Sequence, residues 1–421
     1  MEEPTIACGE GQLTWREHTY PVRFSLVREP DLGLAILTEC PTPGARPPND
    51  LRAWLDPGWT LTGHTDQGHR LRADRLFLTE SPSPIGDRTP PAPGHFRLLP
   101  SADIVAEDPS PGPTALRYYR LINCLWPHGF QFRLGAATWS FVPENWSREL
   151  EAGARAERRV LPVGRLEVTG PGEVSLRDLP DPAEAVCLAL SLLTANKVAW
   201  YEAGCAAANT QIRRIWRSPV PAPARKPRLA CDAENLAEAV PALAQGLLDL
   251  APEKSKALRL VIGFHITAFG ELLFDSRLLH HFIALEILSS GLLGDTPPPF
   301  PPDLVDHLRQ CFRRAHDEAR WDATLLSTAE RLCVQRLNQG GLRDRIEAFV
   351  LSELGADPAA VVPSLPDIVK IRNSLVHRGR LPPGWRPADV PQKGVLRELV
   401  GLIDWGLFKA LGYPHRPVGR S

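Results

Sequence analysis

Residues 371–379, with the sequence IRNSLVHRG, place an arginine, an asparagine and a histidine in one short apolar segment. The guanidinium of Arg372 keeps its positive charge and suits the charge that develops on a phosphoryl oxygen in a transition state. The imidazole of His377 can accept and return a proton near neutral pH. Asn373 lies four residues before His377, so on a helix it could hydrogen-bond the imidazole and orient it. Together these residues predict phosphodiester cleavage that needs no metal ion.

The same residues also have an ordinary structural interpretation. In an arbitrary helix, an arginine and a histidine at this spacing are usually a buried salt bridge and a core histidine. Lys370, Arg378 and Arg380 add positive charge, and over 370–393 six basic side chains oppose Asp389 alone, a net charge of +5. This segment is a candidate RNA-binding patch. Alternatively, it is a solvated face whose basic residues are favoured by the helix dipole.

Glu286, on an earlier segment, is the candidate supporting residue. It lies in a predicted helix over 276–293, on the same side as several apolar residues. Burying a lone carboxylate is costly, so Glu286 requires a partner if it faces the interior. Arg372 is the best candidate, because a guanidinium can bind a carboxylate on one edge and a phosphate on another. The alternative, that Glu286 reaches solvent beside Ser289 and Ser290, fits the sequence equally well.

The segment that carries the arginine and the histidine has its own start and stop signals. Ser364 followed by Asp367 fits a capping box at the beginning of a helix. Gly379 fits the position just after a helix end, where a left-handed backbone conformation is common. These signals predict a helix from about 365 to 378.

The hexapeptide RNSLVH at 372–377 resembles the Rx4–6H signature of HEPN domains. The segment LLHHFIALEILSSGLL at 278–293, followed far downstream by IRNSLVHRG, looks most like the ApeA-like HEPN subgroup. The resemblance covers about 230–412. It implies an all-α helical bundle of a superfamily in which many members are metal-independent, dimeric ribonucleases, here from a subgroup associated with anti-phage defence.

The resemblance therefore implies a regulated homodimeric endoribonuclease that needs no cofactor. The ribose 2′-hydroxyl would attack the adjacent phosphorus, so RNA is cut, DNA is not, and the ends are a 2′,3′-cyclic phosphate and a 5′-hydroxyl. His377 would act as general base or acid, Arg372 would stabilise the phosphorane, and Asn373 would position His377 or the phosphate. Because Arg372 and His377 lie about 140° apart around an ideal helix, a groove between two copies of the helix would supply two such sets.

Family analogy gives the N-terminal half a sensing or restraining role, with a phage-derived trigger as the candidate partner of a toxin that acts by abortive infection. A second hypothesis is a non-catalytic protein. In that case the HEPN fold would serve for dimerisation or for binding nucleic acid or nucleotide.

The whole chain predicts an α+β multidomain protein, with a β-rich N-terminal domain followed by a C-terminal all-α HEPN helical bundle. The expected divisions are a β-rich domain at 1–175, a connecting helix and strand at 176–217, a proline-rich linker at 218–230, a HEPN-like domain at 231–412 and a tail at 413–421.

Local patterns support this division. Alternating apolar and polar residues in TYPVRFSLV and WTLTGHTDQGHRLRADRLFLTE predict strands, the second pair joined by a turn at Asp66-Gln67-Gly68. RVLPVGRLEVTG predicts one more strand pair. Beyond the linker, helical periodicity or composition predicts eight helices, at 233–250, 254–273, 276–293, 302–320, 322–338, 341–354, 364–378 and 393–411.

Composition limits the function classes. Hydrophobic residues make up 43% of the chain, charged residues 23%, and the net charge is −1, so any nucleic-acid binding must use a local basic patch. The eight cysteines are too dispersed for a compact zinc site. The sequence shows neither an apolar signal core at its N-terminus nor a run of about 18 apolar residues, so a cytoplasmic protein without a membrane span is expected.

Overall fold

The chain forms two compact units, Met1–Arg228 with Ala233–Leu248, and Leu229–Asp232 with Asp249–Ser421. None of the helices in the described ranges combines the length and the apolar composition that crossing a bilayer requires. The computed structural model describes residues 5–29, 33–40, 57–79, 95–107, 116–126, 128–144, 147–170, 180–207, 210–218, 223–292, 307, 310–311, 313–314, 341–392 and 394–418.

The first unit is built on a thirteen-stranded sheet in which neighbouring strands run antiparallel. The strands are β1 (Thr5–Trp15), β2 (His18–Arg28), β3 (Leu34–Glu39), β4 (Trp59–Thr65), β5 (Arg70–Thr79), β6 (His95–Pro100), β7 (Ile104–Glu107), β8 (Leu116–Ile122), β9 (Phe130–Leu134), β10 (Ala137–Val142), β11 (Pro162–Thr169), β12 (Ala199–Ala207) and β13 (Thr210–Trp216).

The first six strands close on themselves. Their order is β4-β1-β2-β3-β6-β5, and β4 also pairs with β5, so the strands form a closed barrel-like ring. The predicted alternation in β2 places Val22 and Phe24 inside the ring, where both are buried with Trp15 and Trp59. The predicted turn between β4 and β5 is confirmed, with Gly68 at φ 82°. Closure encloses an apolar core and removes free strand edges.

The remaining strands extend the sheet beyond β5 in the order β7-β13-β12-β8-β11-β10-β9. Helix α1 (Arg148–Ala156) connects β10 to β11, and α2 (Pro180–Thr194) connects β11 to β12 and packs against β12. The predicted connecting segment at 176–217 thus contributes two strands to the interior of the sheet. Helix α3 (Leu236–Asp249) follows, and all but its last residue belongs to this unit.

The prediction that RVLPVGRLEVTG forms a strand pair is wrong. The segment contains one strand, β11, which pairs with β8 on one side and β10 on the other. Gly164 has φ 86°, and the register against β8 shifts between Pro162 and Arg165. The interruption in the alternating pattern is therefore a β-bulge within a continuous strand.

The second unit is helical, and five of the predicted helices are confirmed in it within a few residues. The predicted helices at 302–320 and 322–338 lie outside the described residues, apart from helical positions at 307, 310–311 and 313–314. The helices of this unit are α4 (Pro252–Ala268), α5 (Phe274–Leu292), α6 (Leu342–Ser352), α7 (Pro358–Val361), α8 (Leu365–Arg378), α9 (Asp389–Gln392) and α10 (Val395–Ala410).

Helix α5 is the central helix of the described second unit, since it contacts α4, α6, α8 and α10. Its residues Leu278, Phe282 and Leu288 are buried in this contact, while Ile283 is 39% exposed. Helix α10 comes close to it because Gly406 has no side chain. A Cβ at Gly406 would lie 2.6 Å from Leu288 Cδ2. Helix α8, which carries Arg372, is thereby part of the same packed core as α5, which carries Glu286.

Candidate functional site

Arg372 and Glu286 form a two-point ion pair between α8 and α5. Arg372 Nε donates to Glu286 Oε1 at 2.6 Å, and Arg372 Nη2 donates to Glu286 Oε2 at 3.0 Å. The side chains are 20% and 29% exposed, so the pair lies at the surface edge of the helical core. This parallel geometry fixes the plane of the guanidinium. Of the two alternatives that the sequence left open for Glu286, the structure has the pairing with Arg372.

Asn373 contacts Arg372 rather than His377. Its Oδ1 accepts a hydrogen bond from Arg372 Nη1 at 3.1 Å, and the described residues include no hydrogen bond between Asn373 and His377. The predicted orientation of the imidazole by Asn373 is therefore not what this structure has. The physical reason is that Glu286 holds the guanidinium of Arg372 beside Asn373. The charged N–H groups of this guanidinium compete with the imidazole for the amide oxygen of Asn373.

The guanidinium of Arg372 keeps donors for a ligand. A guanidinium has five N–H groups, and three of those on Arg372 are used by Glu286 and Asn373. The other two belong one to each terminal nitrogen. They suit two oxygens of one phosphate group.

His377 is exposed in the last turn of α8, and its ring has no hydrogen bond or ring contact with any described residue. Val376, beside it, is 49% exposed. The helix ends as predicted at Gly379, whose φ is 65° and whose N–H bonds to Leu375 O. The imidazole is thus open to solvent at a defined helix end.

The predicted basic patch is exposed in the part of it that the structure describes. Lys370, Arg378 and Arg380 all face solvent. Arg386 donates its backbone N–H to Asp389 Oδ2 at 2.7 Å, so the acidic residue of this segment caps a turn. Lys393, which the sequence included in the patch, lies outside the described residues.

Arg345 of α6 contacts the helix that carries Glu286, and it was not predicted from the sequence. Its Nη1 donates to Ser290 Oγ at 3.0 Å, and Ser290 lies one helical turn after Glu286 on α5. The Arg345 Nε is buried without a hydrogen-bond partner among the described residues. A sequence signal existed. Arg343 has Glu347 four residues later, whereas Arg345 has no acidic residue three or four positions away.

A buried polar cluster was also missed. His265 Nε2 lies 2.9 Å from Asp404 Oδ1, and His265 Nδ1 lies 3.2 Å from His281 Nδ1. All three side chains are essentially inaccessible, and they come from α4, α10 and α5. With an ionised Asp404 the carboxylate accepts from His265 Nε2–H, and a neutral His265 then accepts from His281 at Nδ1. The three residues are 16 and 139 positions apart along the chain, so the sequence has no local signal for the cluster.

In the described ranges, no group of three or more histidine, cysteine, aspartate or glutamate side chains is arranged to hold a metal ion. Comparison with protein-family models, curated proteins and solved structures finds no match for this chain.

Proposed function

We propose that the protein is a metal-independent endoribonuclease of the HEPN type, in which the second unit forms the HEPN bundle. The observation that carries the proposal is the Arg372–Glu286 ion pair with Asn373. It joins, across two helices, residues of the two segments on which the resemblance to that family rests. Arg372 binds the phosphate with its two remaining N–H groups and stabilises negative charge on the phosphorane. Glu286 and Asn373 position the guanidinium.

His377 supplies the acid–base step. The imidazole removes the proton of the ribose 2′-hydroxyl or returns one to the leaving 5′-oxygen. The products are a 2′,3′-cyclic phosphate and a 5′-hydroxyl, and a 2′-deoxy linkage is not cut. Arg345, Lys370, Arg378 and Arg380 hold the RNA backbone through local positive charge, although the whole chain has a net charge of −1.

A homodimer explains how one arginine and one histidine of the same helix can serve one phosphate. Since Arg372 and His377 point about 140° apart around α8, a phosphate between two copies of α8 can meet Arg372 of one and His377 of the other. Val376 and Ile283, which are 49% and 39% exposed, supply apolar surface for such a contact. The first unit then acts as the sensing part, with a phage-derived trigger, in an abortive-infection toxin.

The test is induced expression in bacteria together with RNA cleavage by the purified full chain. We expect wild type to be toxic once triggered and to cleave RNA in EDTA, and His377→Ala to lose at least about a hundredfold in cleavage rate. His128→Ala, which removes an exposed histidine of the first unit, is the matched control. Mixing inactive Arg372→Ala and His377→Ala chains should restore part of the activity, because a mixed dimer retains one complete set.

Three results contradict the proposal. Cleavage that requires a divalent metal would exclude the proposed chemistry. Equal cleavage by wild type and His377→Ala at equal protein level, or none by either in the presence of phage, would favour the non-catalytic binding protein instead.

A further inference from the structure

Two arginines of the first unit share one buried carboxylate. Glu202 of β12 is 8% exposed. It lies 3.7 Å from Arg120 Nη1 and 3.9 Å from Arg214 Nε, and it accepts a hydrogen bond from the Tyr118 hydroxyl at 3.3 Å. Both guanidinium distances exceed the range of a hydrogen bond. Neither arginine is therefore held on Glu202 by a two-point contact.

A cavity of about 280 Å³ opens beside Arg120, lined by Arg120, Glu144, Pro162, Gly164 and Tyr201. The Arg120 side chain is 46% exposed, and it donates no hydrogen bond to any described residue. Arg120 is thus paired with Glu202 by charge without a hydrogen bond, and its N–H groups can donate to a ligand. Burial acts to lower the pKa of Arg120, but Glu202 and neighbouring groups outweigh that effect and raise it, so the charge is permanent.

The other lining side chains add a second donor and an acceptor. The ring of Tyr201 is backed by Arg28, whose guanidinium carbon lies 4.9 Å from the ring centroid, and Arg28 is itself buried. Burial raises the pKa of Tyr201, so its hydroxyl remains protonated at neutral pH and can donate. Glu144 lies 2.9 Å from Arg165, which holds this carboxylate in place as an acceptor.

We propose that this cavity binds a small phosphorylated organic ligand of nucleotide size. The phosphate oxygens pair with the fork of Arg120 and with the Tyr201 hydroxyl, and a hydroxyl or amino group of the ligand donates to Glu144. The volume of about 280 Å³ lies just below the range of about 300–1,000 Å³ that is usual for small-molecule sites. The assignment is independent of the chemistry proposed for α8, because every residue it uses belongs to the first unit.

The experiment is isothermal titration of the full chain with adenosine 5′-monophosphate, inorganic phosphate and adenosine. We expect adenosine monophosphate to bind more tightly than phosphate, and adenosine not to bind. Arg120→Gln should weaken binding of the monophosphate at least about tenfold, since a charge-assisted pair of hydrogen bonds is lost. Tyr201→Phe should weaken it less. Arg133→Gln, which removes an exposed arginine of β9, should leave the affinity unchanged.

Three results would overturn the assignment. They are no binding of the monophosphate at millimolar concentration, equal affinity in Arg120→Gln and wild type, and adenosine or inorganic phosphate binding as tightly as the monophosphate. Circular dichroism of each variant shows whether the fold is retained. Arg120 is half exposed and Tyr201→Phe removes one hydroxyl, so neither change removes core volume.

Discussion

The ion pair with Glu286 positions Arg372 but weakens the attraction of its guanidinium for a phosphate. Glu286 neutralises much of the positive field that a phosphate would otherwise meet, yet it fixes the guanidinium plane through two parallel hydrogen bonds. A free arginine on a helix surface samples many rotamers and must lose that freedom when it binds a ligand. Fixing the rotamer before the substrate arrives removes this penalty from the reaction, which is how preorganised electrostatic stabilisation works.

Glu286→Gln tests this arrangement. Glutamine keeps one acceptor for Arg372 but loses the charge, and the pair is partly exposed, so the free energy of unfolding should fall by only about 1 kcal/mol. RNA cleavage by the purified chain should fall about tenfold, because the guanidinium is no longer fixed. Glu347→Gln is the control, since Glu347 pairs with Arg343 on the exposed side of α6. A cleavage rate that stays at the wild-type level in Glu286→Gln would show that this orientation has no catalytic role.

At the residue scale, the sequence predicts contacts where chemistry restricts the choice of partner. A carboxylate beside apolar residues requires a cationic partner. For Glu286 the best candidate in the sequence was Arg372, which lies on α8. The cluster of His265, His281 and Asp404 could not be found in this way. Each residue taken alone has several acceptable environments, and only the packing of three helices brings them together.

At the scale of elements, α8 shows which end signals are reliable. Gly379 ends the helix as predicted, since few other residues adopt a φ of 65° at low cost. Ser364 begins it, but not through the predicted capping box. The Ser364 hydroxyl donates to Glu398 Oε2 of α10 at 2.5 Å, and its N–H donates to the same oxygen at 2.8 Å. Glu398 thus accepts the N–H that Asp367 would accept in a capping box, and its position is set by tertiary packing that no local pattern encodes.

Gly379→Ala should destabilise the second unit by about 1 kcal/mol, because the added Cβ meets a left-handed backbone at the helix end. Gly263→Ala is the matched change on the exposed face of α4, where a Cβ has no neighbour within 4 Å. It should stabilise the protein by about 0.5–1 kcal/mol through higher helix propensity. Urea denaturation followed by circular dichroism measures both. Equal effects of the two substitutions would contradict the role assigned to the left-handed end.

For the strands, too, the sequence predicts only features that have a local pattern. Strand β2 could be predicted because its residues alternate with a period of two, and the turn between β4 and β5 because it contains Gly68. The bulge at Gly164 could not be predicted, since a glycine between apolar residues is equally compatible with a turn. The order of the strands in the sheet is still harder to predict from the sequence. β13 pairs with β7, about a hundred residues earlier, and nothing in either strand alone specifies that partner.

At the scale of the whole molecule, a buried ionisable group makes the stability of the fold depend on pH. In the first unit, the Cys187 side chain is buried. Burial raises the pKa of the Cys187 thiol in α2 to about 12, and neighbouring Glu184 acts in the same direction. Proton binding by this thiol therefore differs between the folded and unfolded chain in alkaline solution, and stability must depend on pH there.

The sign and size of that dependence follow from linkage. The unfolded thiol ionises above its ordinary pKa of 9.0, while the folded thiol keeps its proton up to about 12. Between these values the folded state binds one proton more, so Cys187 alone lowers the free energy of unfolding by about 1.4 kcal/mol per pH unit as pH rises.

Cys187→Ala should reduce stability near neutral pH and make the slope between pH 9 and 12 shallower. Val186→Ala, at a neighbouring buried position without an ionisable group, should lower stability while leaving the slope as in wild type. Urea titrations at pH 9, 10 and 11 provide the slopes, and identical slopes for all three proteins would show that the buried thiol does not control alkaline stability.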